Sequence, residues 1–213
     1  MQEWKCFELG WKKAFENSWE AFKINTIPIG CVIQNENNEI VASGRNMIYS
    51  KDNRNMKLYN TRLAHAEINT ILLLDESLHP NIRKYTLYTT MEPCILCYGA
   101  IVMGNIRLLK FAAKDGYAGA TSVNKVHDYS KSRNIKIEGP IEGLEYLQIC
   151  LQSYSELKIN PGGCEKVLKE FEKDYYNGVI IARNLFQKKM LEKYCEENKG
   201  IEYVYNKIME RVK

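Results

Sequence analysis

A strand that leads directly into a cysteine-bearing helix constrains this chain more than any other feature of its sequence. Residues 85–90 (YTLYTT) are dense in β-branched and aromatic side chains, which predicts a strand. Pro93 follows, and because proline is well tolerated in a first helical turn, a helix is predicted from there to about Met103. The residues just after Pro93 therefore lie where a strand ends and a helix begins.

The other hydrophobic patterns predict further helices and strands in alternation. Aromatic residues recur every three or four positions over residues 4–23, which predicts a helix with one apolar face. Two short apolar runs, 29–34 and 39–43, flank a turn-rich tetrapeptide and predict a β-hairpin. This alternation implies a layered α/β domain with a mostly covered sheet. The remaining predicted elements are helices over 64–75 and 143–157 and strands over 106–112 and 135–138.

Composition and charge exclude several classes of protein. The chain is 45% hydrophobic and 26% charged, as expected for a globular protein with a sizeable core. Its 30 basic and 26 acidic residues give a net charge of +4, which is short of a dedicated nucleic-acid binder. The N-terminus lacks the apolar stretch of a signal peptide, and the longest apolar run, 71–74, cannot span a membrane. Seven scattered cysteines do not resemble a disulfide scaffold, so a cytoplasmic protein is expected.

The aromatic stripe over residues 4–23 has two interpretations. It is compatible with a helix lying at a membrane surface, and equally with a helix packed on a sheet. The polar face carries both charge signs rather than a basic excess, so packing on a sheet is favoured and no membrane partner is expected.

A linker divides the chain into two parts. Residues 158–163 (KINPGG) separate a domain over 1–158 from a helix-prone extension over 159–213. Residues 164–213 carry 11 basic and 9 acidic residues, so they are not a basic arm. Fifty residues hardly stabilise a core of their own, so the extension is expected to pack on the first domain or on a partner subunit. Its predicted helices cover 164–176, 179–197 and 201–212, with helix stops at 177–178 and 199–200.

Two short motifs carry the chemistry of the chain. Residues 65–67 (His-Ala-Glu) open one predicted helix, and Cys94 and Cys97 lie in the first turn of another. Cysteines three positions apart share a helix face, and the helix N-terminus favours their thiolates. One imidazole nitrogen and two thiolates are three ligands for Zn²⁺, which leaves a fourth position open for water as in catalytic sites. Zinc lowers the pKa of that water to about 7, and Glu67 is placed to pass protons to a substrate nitrogen.

A structural zinc site and a redox pair are the alternatives for the Cys-x-x-Cys motif. A structural site needs two more ligands at similar spacing, and the five other cysteines form no second Cys-x-x-Cys. A redox pair does not need the upstream His-x-Glu motif. A silent scaffold that keeps zinc for structure has no use for a proton shuttle such as Glu67. The combined motifs therefore favour a catalytic zinc site.

These motifs resemble the zinc-dependent cytidine/deoxycytidylate deaminase superfamily, whose signature is H-x-E…P-C-x-x-C. The resemblance covers about residues 5–157 and points to the branch of tRNA adenosine deaminase, guanine deaminase and fungal cytosine deaminase. It implies a three-layer α/β/α fold with a mixed five-stranded sheet, here followed by a helical C-terminal extension, and a homodimer. The stretches that carry it are IPIGCVI (27–33), GRN (44–46), HAE (65–67) and TLYTTMEPCILCYGAI (86–101).

The resemblance also implies the metal chemistry. It makes His65, Cys94 and Cys97 the zinc ligands, and Glu67 the proton shuttle. The implied reaction is hydrolytic deamination, in which hydroxide at the zinc attacks the amidine carbon of a nitrogen heterocycle. Glu67 then protonates the ring nitrogen and the leaving ammonia.

Besides the zinc ligands and Glu67, the residues Asn46, Ala66, Asp115 and Tyr117 are candidates to bind substrate. Asn46 matches the family's asparagine after the second strand, and its amide can both donate to and accept from a base, with a turn residue following Gly44 as the alternative. The backbone N–H groups of Ala66 and Cys94 are expected to face the substrate. Asp115 matches an acidic position near the pocket, with an ordinary turn before a glycine as the alternative. Tyr117 is a candidate to stack on a base.

Several departures from the tRNA-editing branch bear on the substrate. That branch typically has Pro-Thr before His-Ala-Glu, whereas this chain has Arg-Leu-Ala at 62–64. It carries Lys-Thr-Gly after the pocket aspartate, whereas this chain has Gly-Tyr-Ala-Gly at 116–119, and residues 144–152 lack positive charge. A free nucleobase or nucleoside is therefore the favoured substrate, and a base within RNA or DNA is the alternative. The extension could cap the pocket, restrict it to small substrates or form an interface.

Overall fold

The computed structural model describes residues 2–212, which form a mixed five-stranded sheet with helices on both faces. The strands are β1 (Gly30–Gln34), β2 (Ile40–Arg45), β3 (Thr86–Met91), β4 (Leu108–Ala113) and β5 (Lys136–Glu138). They lie in the order β2-β1-β3-β4-β5, with β1 antiparallel to β2 and β3, and with β3, β4 and β5 mutually parallel. The predicted α/β class and the mixed five-stranded sheet are confirmed.

Nine α-helices accompany the sheet within residues 2–212. They are α1 (Leu9–Lys23), α2 (Ala66–Leu72), α3 (Ile95–Met103), α4 (Val123–Val126), α5 (Asp128–Ser132), α6 (Leu144–Ile159), α7 (Cys164–Gln187), α8 (Met190–Glu196) and α9 (Ile201–Val212). Among those residues, no helix is both long enough and apolar enough to cross a membrane.

Side chains that alternate along the strands build a separate core on each face of the sheet. Val32 and Tyr88 belong to a core that also contains residues of α1, α6, α7 and α9. Ile33 and Leu87, their neighbours in sequence, belong to the opposite core, which contains residues of α2 and α3. The sheet is therefore the middle of three layers.

The crossover from β3 through α3 to parallel β4 determines where a site can form. The carboxyl end of β3 leads into the start of α3, and a ligand in an open α/β sheet binds outside such strand ends. The start of α2 lies beside it, because α2 contacts both β1 and α3. Residues at the starts of the two helices thus meet at one edge of the sheet.

The C-terminal helices pack on the rest of the same chain. The Trp19 indole N–H donates to the carbonyl of Lys199 over 2.9 Å, and the Tyr205 hydroxyl donates to the carbonyl of Gln2 over 2.7 Å. Helices α7, α8 and α9 share one hydrophobic cluster with α1 and α6. The division into 1–158 and 159–213 stays a prediction, since this cluster crosses it.

The predicted helix over 4–23 is wrong at its start. The chain forms a 3₁₀ turn over Trp4–Cys6, extends through residues 7–8, and only then enters α1. The extended segment lets the Glu8 carboxylate accept hydrogen bonds from the Tyr88 hydroxyl over 2.6 Å and from Lys110 Nζ over 2.9 Å. These contacts with β3 and β4 have no signal in the local periodicity.

The predicted helix boundaries in the extension are also wrong in part. Helix α7 runs past the predicted stop at 177–178 and bends at Tyr175 instead, where the tyrosine hydroxyl accepts a hydrogen bond from the Lys114 N–H. Gly178 lies inside the helix, and glycine there permits the close approach of α6, since a Cβ would lie only 3.1 Å from Ile149 Cγ2. The predicted helix over 179–197 is interrupted at Lys189, whose φ of 51° is left-handed.

Candidate active site

Three potential metal ligands converge where the chain enters α2 and α3. His65 immediately precedes α2, Cys94 immediately precedes α3, and Cys97 lies in the first turn of α3. Only Cys97 therefore lies inside α3, whereas the sequence predicted that both cysteines lie in its first turn. His65 Nδ1 lies 3.6 Å from Cys94 Sγ and 3.4 Å from Cys97 Sγ. Tetrahedral zinc with ordinary bond lengths holds nitrogen and sulfur ligands about 3.6 Å apart, so this donor set fits zinc.

Hydrogen bonding inside the donor set favours a thiolate. Hydrogen bonds from Cys97 and His65 lower the pKa of the Cys94 thiol to about 4. The same bond between the two sulfurs, together with burial, raises the pKa of Cys97. The bond to Cys94 also raises the pKa of His65. A negative charge concentrated at one corner of the set is the electrostatic setting that a cation requires.

Glu67 is buried beside the donor set and is held at both carboxylate oxygens. Oε1 accepts a hydrogen bond from Thr89 Oγ1 on β3 over 2.9 Å, and Oε2 accepts one from Cys97 Sγ over 3.1 Å. Burial raises the pKa of the Glu67 carboxyl above its ordinary value. A carboxyl fixed in this way can both take up and release a proton next to the metal position.

A cavity of about 190 Å³ opens on these four side chains. Pockets that enclose drug-sized ligands typically measure about 300–1,000 Å³, so this cavity suits a smaller molecule. Asn46, Asp115 and Tyr117 line it, and their predicted role in binding substrate stays a prediction. Its remaining lining residues are Ile27, Ile29, Met91, Glu92, Ala118, Gln152, Glu156, Val167 and Phe171.

Asn46 presents only a donor to the cavity. Its Oδ1 accepts hydrogen bonds from Thr26 Oγ1 over 2.8 Å and from the Ile48 N–H over 3.0 Å. A backbone N–H can only donate, so it fixes the orientation of the amide. The sequence led us to expect an amide that both donates and accepts, but its oxygen is already committed within the chain.

Asp115 and Tyr117 lie on the loop that borders the cavity. Asp115 Oδ1 accepts hydrogen bonds from the N–H groups of Tyr117 and Ala118, each over 2.9 Å, so the aspartate stabilises a turn and also lines the cavity. Tyr117 is 47% exposed, and Lys166 Nζ lies 5.5 Å from its ring centre. The tyrosine therefore stands at the mouth rather than in the depth of the cavity.

Ala66 contributes no side chain to the cavity. Its methyl group is buried in the core between the sheet and the helices α2 and α3. The predicted role concerns its backbone N–H, which lies at the start of α2 directly after His65. That role stays a prediction.

Glu92 is a residue that the sequence analysis missed. It is buried, and its carboxylate accepts hydrogen bonds from the Asp115 N–H over 3.2 Å and from both the N–H and the hydroxyl of Thr121. It thus fastens both ends of the loop that borders the cavity. Its signal in the sequence is an acidic residue directly after a buried strand and before Pro93.

The cavity wall formed by α6 and α7 was missed as well. Helix α6 supplies Gln152 and Glu156, and α7 supplies Val167 and Phe171. A hint is visible in the sequence, because polar side chains recur every four positions within an otherwise apolar part of α6. Local patterns do not reveal that this stripe faces His65, which lies more than eighty residues earlier.

The fold and the donor set together define a zinc-dependent hydrolytic deaminase. A family model described as the cytidine and deoxycytidylate deaminase zinc-binding region matches residues 6–113, and the chain belongs to this family. The predicted family, the zinc cofactor and the enzyme class are thereby confirmed. The match ends before Asp115, so the loop that borders the cavity and the helices α6–α9 lie outside it.

Individual relatives differ in the substrate that their names state. The tRNA-specific adenosine deaminase of Rickettsia bellii is 30% identical over 57% of this chain and 79% of its own length. A probable cytosine deaminase of Schizosaccharomyces pombe is 31% identical over 47% of this chain and 56% of its own length. The structure of a guanine deaminase from Nitrosomonas europaea covers 70% of this chain and 83% of its own, with a TM-score of 0.53 at 17% identity, and supports the fold alone.

Proposed function

We propose that this protein deaminates a free nucleobase or nucleoside and releases ammonia. The observation that carries the proposal is the small cavity, which joins His65, Glu67 and the two cysteines to a wall built from α6 and α7. A substrate of this size fits inside it, whereas a base that remains attached to a polynucleotide needs an open approach. The absence of positive charge from residues 144–152 also disfavours a phosphate backbone beside this wall.

The residues around the cavity divide the chemical work. His65, Cys94 and Cys97 would hold zinc, which when bound supplies a nucleophilic water at neutral pH. The Asn46 amide donates to an acceptor atom of the heterocycle and orients the ring. Thr89 holds Oε1 of Glu67, whereas Oε2 lies 3.1 Å from Cys97 Sγ in the donor set, so Oε2 is the oxygen placed to move a proton. Glu67 passes one proton of the water to the ring nitrogen and the second to the leaving amine, so that water adds, ammonia leaves and a carbonyl remains.

Ammonia release tests the proposal. Zinc-loaded protein is assayed against free bases, nucleosides, nucleotides and a tRNA anticodon stem. We expect turnover of a free base or nucleoside, and we expect Glu67→Ala to keep zinc while its turnover falls by about 10²–10⁴-fold, the usual contribution of a general acid–base group. Loss of zinc from that variant, or undiminished turnover, would contradict the role of Glu67. Activity on the RNA alone would refute the proposed substrate.

Deamination of a tRNA adenosine is the second candidate, favoured by the names of relatives such as the Rickettsia bellii enzyme. It requires contact with phosphates, and contacts of that kind weaken steeply as salt rises. Measuring the affinity for the anticodon stem between about 50 and 200 mM salt therefore separates the candidates. Tight, salt-sensitive binding together with ammonia release would establish the tRNA activity.

A further inference from the structure

Two helices outside the region of the family match complete the cavity. Gln152 and Glu156 reach it from α6, and Val167 and Phe171 reach it from α7. These four side chains stand in the same enclosure as Glu67 and the metal-ligand set. Whatever occupies the cavity must therefore be compatible with this wall.

The side-chain oxygen of Gln152 is a buried hydrogen-bond acceptor that receives no hydrogen bond from the described residues. The side chain is only 6% exposed, and its Nε2 donates to Glu156 Oε1 over 3.2 Å. Since a carboxylate can only accept here, the amide nitrogen must face Glu156 and Gln152 Oε1 must point away from it. Within residues 2–212 that oxygen has no hydrogen-bond partner. Buried polar atoms are rarely left unpaired, and Gln152 lines the cavity, so a donor on a molecule in the cavity could satisfy this oxygen.

Glu156 extends the acceptor surface beside Gln152. Its Oε2 accepts a hydrogen bond from Asn160 Nδ2 over 3.3 Å, and its Oε1 accepts the bond from Gln152. Two carboxylate oxygens provide about four acceptor positions, so acceptor capacity remains. The α6 wall is thus rich in acceptors, whereas Asn46 presents a donor.

The rest of the wall is apolar and uncharged. Phe171 is buried in a cluster with Met91 and Tyr175, and Val167 packs against the same cluster. No lysine or arginine is among the side chains that line the cavity within the described residues. A phosphate group would therefore find no basic side chain there, and a ribose would have to displace packed side chains.

We propose that α6 and α7 select a free base over its nucleoside, with Gln152 and Glu156 accepting hydrogen bonds from ring N–H groups and Phe171 and Val167 excluding the sugar. A free base carries a ring N–H at the position where its nucleoside carries ribose. The oxygens of Gln152 and Glu156 can thus accept a hydrogen bond from a ring N–H that the free base has and its nucleoside lacks. This inference rests on the proposed function and narrows its substrate to uncharged, amino-substituted heterocycles without a sugar.

Equilibrium binding tests the inference apart from turnover. Zinc-loaded Glu67→Ala protein is titrated calorimetrically with adenine, guanine and cytosine and with their ribonucleosides. We expect at least one base to bind more than about 10-fold tighter than its nucleoside, because the nucleoside leaves buried acceptors unpaired. Adding Gln152→Leu, which keeps the side-chain size, is expected to raise the Kd of that base by about 5–30-fold. Adding Glu202→Gln, an exposed substitution on α9, should leave the Kd unchanged.

Truncation of the apolar wall gives the opposite effect. Phe171→Ala should reduce the preference for base over nucleoside, because it opens space for the sugar. Phe186→Ala is the matched control, since this phenylalanine also lies on α7 but packs against Tyr154, away from the cavity lining. Zinc content and circular dichroism of each variant verify that it has folded.

The possible outcomes separate this inference from the proposed function. The inference is overturned if no base binds, if nucleosides bind as tightly as bases, or if Gln152→Leu binds bases unchanged. If bases bind selectively to wild-type protein but release no ammonia, deamination is refuted and the selection of free bases by α6 and α7 is supported. If wild type and Gln152→Leu release ammonia from a base with the same kcat/KM, deamination is supported and selection of the base by Gln152 is refuted.

Discussion

Glu92 acts on the cavity through the loop that borders it. Its carboxylate bonds to Asp115 and Thr121, so the 115–121 segment is fastened at both ends to the carboxyl end of β3. In Glu92→Ala these backbone N–H groups lose a charged acceptor. We expect faster hydrogen–deuterium exchange at 115–121 and a loss of about 1–3 kcal/mol in the free energy of unfolding.

A matched substitution separates this effect from the loss of any acidic residue. Glu39→Ala removes a carboxylate that accepts a hydrogen bond from Asn35 in an exposed turn. Its exchange at 115–121 should equal that of the wild type. Unchanged exchange in Glu92→Ala would show that the loop is held by other contacts.

Glu145 makes the stability of the fold depend on pH. Burial, reinforced by the charge of Glu142, raises the pKa of this carboxyl to about 7, and its Oε2 has no hydrogen-bond partner among residues 2–212. Between pH 4.5, the ordinary pKa of the group, and pH 7 the folded chain binds more protons than the unfolded chain, so this group lowers stability as pH rises through that window. Glu145→Gln should therefore be more stable than wild type at pH 8, by about 1–2 kcal/mol.

Denaturant unfolding at two pH values checks the expectation for Glu145. The advantage of the variant should vanish near pH 4, where both states of the wild type are protonated. Glu202→Gln, an exposed substitution, should show no such pH-dependent difference. An equal advantage at both pH values would assign the effect to packing rather than to ionisation.

The residues that sequence analysis found are those whose roles are encoded locally. The spacing of Cys94 and Cys97 and the adjacency of His65 and Glu67 follow from helix geometry, so the donor set was predictable. Glu92 bonds to Asp115 and Thr121 on a later loop, and Gln152 lines a cavity whose other walls come from distant parts of the chain, so their local sequence signals do not reveal their roles. The same limit applies to Asn46, whose oxygen is committed to Thr26, twenty positions earlier.

At the scale of elements, hydrophobic periodicity predicted the sheet and most of the helices. Periodicity gave wrong helix boundaries where the backbone departs from the helical conformation at a single residue. The chain leaves the helical path at Glu8, bends at Tyr175 and turns left-handed at Lys189. It also missed α4 and α5, which are too short to show a period of 3.6 residues. At Glu8 and Tyr175 the backbone departs from the helix where the side chain makes tertiary hydrogen bonds.

Packing of α1 on β1 depends on a glycine. A Cβ at Gly30 would overlap the Ala14 carbonyl oxygen and lie only 2.6 Å from the Ser18 nitrogen. Gly30→Ala should therefore push α1 away from the sheet and lower the free energy of unfolding by about 1–3 kcal/mol. Gly162→Ala is the control, because a Cβ there meets nothing within 4 Å. Equal stability of the two variants in denaturant unfolding would show that α1 shifts without cost.

At the scale of the whole molecule, the site draws on more of the chain than the family match covers. The match ends at residue 113, yet the cavity is completed by α6 and α7 as far as Phe171. The extension that we expected to pack on the first domain or on a partner contacts α1 and α6 of its own chain. Within residues 159–213, α7 lines the cavity through Val167 and Phe171, whereas α8 and α9, both within the described residues, contribute no lining residue.

The predicted homodimer stays a proposal, and the molecular surface supports it at one place. Ile95 and Met103 on α3 are 65% and 66% exposed, and Leu72 on the neighbouring α2 is also exposed. A group of exposed apolar side chains beside a site is typical of an interaction surface. A two-fold interface would place the same helices of both copies together.

Charge introduced on these helices should separate the two copies. We expect wild-type protein to sediment at twice the chain mass of 24.8 kDa, and Leu72→Lys combined with Met103→Lys to sediment at the mass of one chain. Buried like charges would face each other across the two-fold axis, which costs several kcal/mol. Val126→Lys, which charges an equally exposed apolar position on α4, should remain dimeric. A monomeric wild type, or a dimer that survives both lysines, would refute an interface on α2 and α3.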